Sequence, residues 1–324
     1  MPPRLASRRV TVVLRAITAA ALLAYLFHSL DTTRVLASLA QPDWTALAVA
    51  LGAPVAGSTC SAWRWRSLLR GLGSERSFWR LMALLHVGFF FNNFLPTSVG
   101  GDVVRAHYAS GKDLTRGASY GAVLVERLVG VVALAGVTAV IAATALLTGG
   151  SALPRELLWT VLAVATTGTT MGCLLFGSTG WRRMVGLEWR LGGRLMGVER
   201  ALKTLQKREV WLPLFVASVA LQVVVLVFYL ACARAVHAAV PTLEVLTVVP
   251  VSIVAAMLPV TLNGLGVREG VFVGLLTATG ADPDRAGATA LLALVITTCF
   301  AVLGGLFYPL LPSSGSVARP SVTA

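Results

Sequence analysis

The residues with chemistry to offer are few, and they lie inside or beside apolar runs. They are Asn92, Asn93, Asp102 and Arg105, then the adjacent pair Glu126 and Arg127, then Asn263, Arg268 and Glu269. A guanidinium fork matches the oxygens of a phosphate, and a primary amide donates to the same oxygens or to broken backbone. Charges at membrane depth are costly and mark functional sites by default. One reading therefore places Arg105, Arg127 and Arg268 around a central cavity, facing an anionic headgroup, with the three asparagines as neutral donors. The other pairs Asp102, Glu126 and Glu269 with the same arginines to hold the fold together. Adjacent helical residues point about 100° apart, so Glu126 and Arg127 need not pair with each other.

The elements that must position these residues belong to a membrane. Over half of the chain is hydrophobic, mean hydropathy is +0.79, and several runs exceed the roughly 18 apolar residues that span a bilayer. The net charge of +13 invites a nucleic-acid reading, but the basic residues sit mostly in short connections between apolar runs, as cytoplasmic loops do. Cys60, Cys173, Cys232 and Cys299 each lie in an apolar segment without CxxC spacing and read as small core residues. His28, His86, His107 and His237 have no ligand spacing, so neither a metal nor a cofactor is expected. The run Gly264–Gly270 has a glycine pattern but no βαβ context for a dinucleotide.

Loop charges set the topology. Residues 1–9 carry three arginines and no acid, which puts the N-terminus in the cytoplasm. Full spans are expected near 10–27, 44–62, 119–147, 157–176, 211–233 and 288–311. The segment Trp63–Arg70, rich in Trp and Arg, suits the headgroup layer. The run Trp79–Phe91 starts as a membrane helix but breaks at Asn92-Asn93-Phe94-Leu95-Pro96, followed by Gly100, Gly101 and Asp102. Residues 182–209 hold eight Lys or Arg against three Glu, and two spans separate them from Arg116, so both flanks of the break must be cytoplasmic. The segment 79–105 is thus expected to be a re-entrant hairpin, since irregular backbone at depth survives only when buried in protein or lining a wet cavity. A second hairpin, from the outside, is expected at 245–279, broken at Pro259–Glu269. Part of 188–208 reads either as an amphipathic helix on the inner surface or as a solvated basic loop.

Laying Leu95 on Leu258 matches LPTSVGGDVVR to LPVTLNGLGVR at five of eleven positions, with Arg105 on Arg268. The order helix, helix, hairpin, helix occurs twice. The expected fold is an all-α polytopic membrane protein, six full transmembrane helices plus two re-entrant hairpins, arranged as an inverted-topology repeat. Its parts are a first repeat (1–150), a second repeat (151–312) and a polar cytoplasmic tail (313–324). Pro96, Gly100, Gly101, Pro259, Gly264 and Gly266 have a plain structural role at the hairpin tips, where glycine permits positive φ and close approach.

At these motifs the chain resembles the lysylphosphatidylglycerol synthase transmembrane-region family, also described as flippase-like. The matching pieces are Asn92–Pro96 with Gly100-Gly101-Asp102 and Arg105, then Glu126-Arg127, then Pro259 with Asn263–Glu269. The resemblance implies an inner-membrane protein with two re-entrant hairpins that moves a phospholipid, an aminoacyl-phospholipid or a polyprenyl-phosphate-type amphiphile between leaflets. Bifunctional members carry a soluble acyltransferase-like domain after the membrane part. Only a dozen polar residues follow the last helix here, so lysyl transfer is not expected. The expected function is a non-enzymatic flippase or transporter whose partner is a lipid with a phosphate-bearing headgroup, held between the hairpins. The alternatives are a lipid-phosphate-dependent transferase using Asp102, Glu126 or Glu269 as base, and a membrane anchor for a separate lipid-modifying synthase.

Overall fold

The computed structural model describes residues 3–94, 99–176 and 196–310. Leu95 and Pro96 of the first break, the basic stretch 177–195 and the tail after Leu310 lie outside the described residues. The elements are α1 (Pro3–His28), α2 (Thr32–Ala40), α3 (Trp44–Gly71), α4 (Phe78–Phe94), α5 (Gly100–Ala109), α6 (Arg116–Thr148), α7 (Arg155–Phe176), α8 (Met196–Thr204), α9 (Arg208–Ala235), α10 (Thr242–Ala256), α11 (Val267–Ala278) and α12 (Pro283–Gly305). Among the described residues there is no strand.

Five helices, α3, α6, α7, α9 and α12, are long and apolar enough to cross a membrane. They coincide with five of the six expected spans. The sixth, α1, is helical throughout, but its qualifying apolar stretch is only Val13–Leu26. Two features were not expected. The connection 28–43 contains α2, whose N-cap Asp31 accepts from the amides of Thr33 and Arg34. The Trp63–Arg70 segment continues α3 instead of lying in a headgroup layer: Trp65 is fully buried and Arg64 nearly so, while Trp63 is exposed.

Helices α3 and α9 form the most extensive helix pair and run antiparallel through two separate hydrophobic clusters. The first cluster gathers Ala50 and Ala53 of α3, Leu226–Cys232 of α9, and the buried faces of α10, α11 and the first half of α12. The second gathers Ala62–Leu69 of α3, Val210 and Leu214 of α9, and the buried faces of α4, α5, α8 and the first half of α6. Each interrupted helix pair, α4–α5 and α10–α11, thus packs into one end of the bundle. The pairs also exchange neighbours: α4 packs on α12, and α10 packs on α6.

The described connections meet one another in two groups. At one end Asp284 accepts from the Asp31 amide at 2.9 Å, His237 Nε2 meets the Gln41 carbonyl at 3.1 Å, and Arg285 donates to the Val236 carbonyl. Glu244, at the start of α10, accepts from Ser151 and Ala152 in the α6–α7 connection. At the other end Arg76, just before α4, grips Asp113, just after α5, through two bonds of 2.6 and 2.8 Å, and Ser74 adds a third at 2.7 Å. The two feet of the α4–α5 pair are therefore tied together. Helix α8 settles the described part of 188–208: its apolar side, with Ala201 and Leu202, is buried against α3 and α6. Gly197 meets Gly117 and Gly121 backbone to backbone.

Two glycines of the breaks are required by geometry. Gly101 faces the Gly88 carbonyl and Asn92 so closely that a Cβ has no room. Gly266 has φ +81° and touches Leu22 and the Ala19 carbonyl of α1. Gly101→Ala is expected to cost ~1–3 kcal/mol through overpacking. Gly274→Ala on α11, where nothing lies within 4 Å, is the control and should not lower the melting temperature in detergent.

The Arg76 fork and the Ser74 hydroxyl hold the Asp113 carboxyl down at about 2. A carboxylate so depressed stabilises the fold above its unfolded value of ~4, and that stabilisation is lost as pH falls toward 2. Because Asp113 is well exposed, the effect is at most ~1 kcal/mol. Asp113→Asn is expected to lower the melting temperature slightly at neutral pH, and the gap to the parent should close between pH 4 and pH 2.

Candidate functional site

The polar residues separate into two sites. The first is an ion network at the α3–α5–α6 junction. Arg105 donates from Nε to Asp102 Oδ1 at 2.9 Å and from Nη1 to Glu126 Oε2 at 2.8 Å. Its guanidinium lies 4.9 Å from the ring centre of Trp65, a cation–π contact. Arg127 pairs with the other oxygen of Asp102, and its side chain is 44% exposed. Arg64 reaches in from α3, donating from Nη2 to the Glu126 carbonyl at 2.5 Å and lying 3.9 Å from the Glu126 carboxylate. Gly130 leaves the space that the Arg64 guanidinium fills. Three guanidiniums meet two carboxylates, and all but Arg127 are buried.

Spacing explains why Arg64 was missed. The Trp-and-Arg composition of 63–70 reads as a surface. Yet Ser61, Ala62, Trp65, Leu68 and Leu69 continue the buried face of α3 at helical spacing, and Arg64 lies on its edge. Periodicity carried past Ala62 would have found it.

The second site is a cavity of about 390 Å³ between α3, α9, α12 and the two breaks. Its wall includes Ser58 and Ser61 of α3, Asn92 and Asn93 at the end of α4, Phe228 of α9, Asn263 and Arg268 of the second break, and Thr297 and Thr298 of α12. The two breaks touch here: Asn263 Nδ2 donates to Asn93 Oδ1 at 3.1 Å. Asn92 is partly committed, since its Oδ1 accepts the Gly101 amide at 2.8 Å. Asn263 (φ +51°) and Gly264 (φ +74°) turn the chain in the left-handed region, so Asn263 reaches the cavity by a backbone conformation that asparagine tolerates.

Arg268 is the one charged residue among the described residues lining this cavity. Its Nε and Nη2 both donate to Glu269 Oε1, at 2.9 and 2.7 Å. Glu269 Oε2 in turn accepts the Gly266 amide at 2.8 Å, so the carboxylate caps α11 and is spent. Arg268 Nη1 makes no hydrogen bond among the described residues, and the side chain is 26% exposed.

The structure thus brings Asn92, Asn93, Asn263 and Arg268 together on the cavity. It assembles Asp102, Arg105, Glu126 and Arg127 into the network, outside the cavity wall, and places Glu269 behind Arg268. Arg105 and Arg268, matched in the sequence overlay, differ in circumstance. Both grip a neighbouring acid, but only Arg268 reaches open space.

Removing one partner of a buried, hydrogen-bonded ion pair typically costs ~3–5 kcal/mol. Glu126→Gln is expected to lose about that much, leaving Arg64 and Arg105 undercompensated. Arg268→Gln should cost less, ~1–3 kcal/mol, because Glu269 keeps its bond to Gly266 and cavity water can solvate it. Unfolding of the purified variants in detergent compares the two directly.

A family model described as the lysylphosphatidylglycerol synthase TM region matches residues 12–305. No curated protein matches the chain. The match covers most of the sequence, and the chain is a multi-pass membrane protein of the lysylphosphatidylglycerol synthase transmembrane-region family.

Proposed function

We propose that this protein is a lipid flippase or transporter, holding the polar headgroup of a phosphate-bearing amphiphile in the cavity between the two interrupted helix pairs. The observation that carries the reading is the position of Arg268: a guanidinium nitrogen with no protein partner among the described residues, in a mostly apolar cavity where a few asparagine, serine and threonine side chains join it. A guanidinium kept at that depth is the recognised mark of a substrate pathway.

In the same reading the two interrupted pairs are re-entrant hairpins related by an inverted repeat over 1–150 and 151–312, in the cell membrane with both termini cytoplasmic. The separate clusters around each pair, the exchange of α4 onto α12 and α10 onto α6, and the Arg76–Asp113 tie at the feet of the first pair support it. The outer helices depart from strict symmetry, since α1 packs on α11 whereas α7 packs on α6. The transferase alternative requires a carboxylate free to act as base. Asp102 and Glu126 are engaged in the ion network and Glu269 in its cap, which favours transport. An anchoring role beside a separate lipid-modifying enzyme would leave the cavity without a use.

Reconstitution into liposomes with a fluorescent phospholipid tests the reading. The parent protein is expected to accelerate exchange between leaflets, and Arg268→Ala to slow it by about tenfold or more while remaining folded, the loss of roughly one charge-assisted contact. A rate unchanged in Arg268→Ala removes the proposed role of that residue.

A further inference from the structure

From the exposed side of the α3–α4 corner we infer a second site, separate from the cavity, that holds one anionic phospholipid of the surrounding leaflet. Helix α3 runs 28 residues, ~42 Å, against a hydrocarbon layer of ~30 Å. Trp44 and Trp63, both exposed, stand ~28 Å apart along it, which is the spacing of the two interfaces where tryptophan collects. The stretch after Trp63 therefore stands upright through headgroup depth at that end instead of lying flat on it. One face of the stretch, with Trp65, Leu68 and Leu69, is buried in the bundle. Trp63, Arg66 and Arg70 recur at helical spacing on the opposite face.

Neither of these arginines is spent. The side chains of Arg66 and Arg70 make no ion pair or hydrogen bond among the described residues, and Arg66 Nε is buried without an acceptor. Other arginines of the same stretch are engaged, Arg64 with Glu126 and Arg76 with Asp113. Glu75 is the one acid between Trp63 and Arg80. Two guanidiniums one turn apart, with ~6 Å between their Cβ atoms, can close on the oxygens of a single phosphate.

Aromatic rings supply the other half of an amphiphile site. The Trp63 ring centre lies 6.0 Å from that of Phe78, which lies 5.4 Å from that of Trp79, so three rings bridge α3 and the start of α4 beside the arginines. Trp79 is 75% exposed. Rings at this depth pack on the glycerol and the upper acyl chain, while the phosphate stays with the charges. The Arg66 guanidinium lies 5.8 Å from the centre of the Trp63 ring. With a cation already over the ring and no acid on the stripe, a choline or ethanolamine ammonium gains nothing there. The site therefore favours a headgroup of net negative charge over a zwitterion.

The test is read at Trp63 itself, which is not on the cavity wall. The full chain is placed in phosphatidylcholine bilayers that hold the same small fraction of either brominated phosphatidylglycerol or brominated phosphatidylcholine. Fluorescence quenching at Trp63 is the difference between the parent and Trp63→Phe. Brominated phosphatidylglycerol is expected to quench it about fivefold more strongly than brominated phosphatidylcholine, the worth of roughly one arginine at an anionic surface. Arg66→Gln/Arg70→Gln should bring the two lipids level. Lys112→Gln/Arg116→Gln removes the same charge from exposed positions at the same end of the bundle and should keep most of the difference. Equal quenching by the two lipids in the parent, or an equal loss in both double variants, overturns the site. The parent measurement decides the matter alone if the Arg66 variant fails to fold. Because Trp63 reports only on the α3–α4 corner, its quenching does not depend on whether the cavity carries lipid, which the liposome exchange measures separately.

Discussion

A helix that stops within an apolar layer leaves four amides and four carbonyls without partners, and lipid offers none. This chain interrupts two apolar helices, giving the pairs α4–α5 and α10–α11, and much of the surrounding packing covers those interruptions. Local chemistry satisfies part of the deficit: Asn92 takes the Gly101 amide, Glu269 takes the Gly266 amide, and Leu265 turns back onto the Leu262 carbonyl. Neighbouring helices cover the interruptions. Helix α1 lies against Gly266, α12 covers α4, α6 covers α10, and the α3–α9 pair runs past both breaks. Because the end of α4 meets the second break at the Asn93–Asn263 contact, the asparagine side chains form the polar part of a mostly apolar cavity wall.

The two matched arginines show how one sequence pattern serves two ends. Arg105 is held on both sides, by Asp102 and Glu126, with Trp65 against its face, and it locks α5 to α6. Arg268 is held on one side, by the residue next to it in sequence, and so ties α11 to nothing but itself. The difference arises from α6. Its Glu126 projects into the first junction, whereas no acid among the described residues lines the cavity that Arg268 faces. A charge cluster spanning three helices acts as a fastener. A charge paired within one turn fastens nothing beyond its own helix.

Much of this was legible in the chain itself. Hydropathy runs located five of the six expected spans, and the runs that break near Asn92 and Pro259 end close to the ends of α4 and α10. What periodicity and composition concealed has physical reasons. Arg64 hides in a stretch whose tryptophans and arginines resemble a surface, because a buried guanidinium is recognisable only from the helix face it shares and the glycine, Gly130, that makes room for it. Helix α2 hides because its Asp31 cap and short length resemble a loop. The division of the polar residues into a network and a cavity was beyond the sequence, since it depends on which side of α5 meets α6.

The pairing of Arg268 with Glu269 also explains how a guanidinium can sit largely buried among apolar helices. Unpaired, it would cost several kcal/mol in an apolar medium. Paired through Nε and Nη2 with a carboxylate that is itself anchored by the Gly266 amide, it rests nearly neutral while its third nitrogen stays in the cavity. The end-on edge of the guanidinium, made of Nη1 and the second hydrogen of Nη2, keeps its donors free among the described residues while the charge itself stays paired.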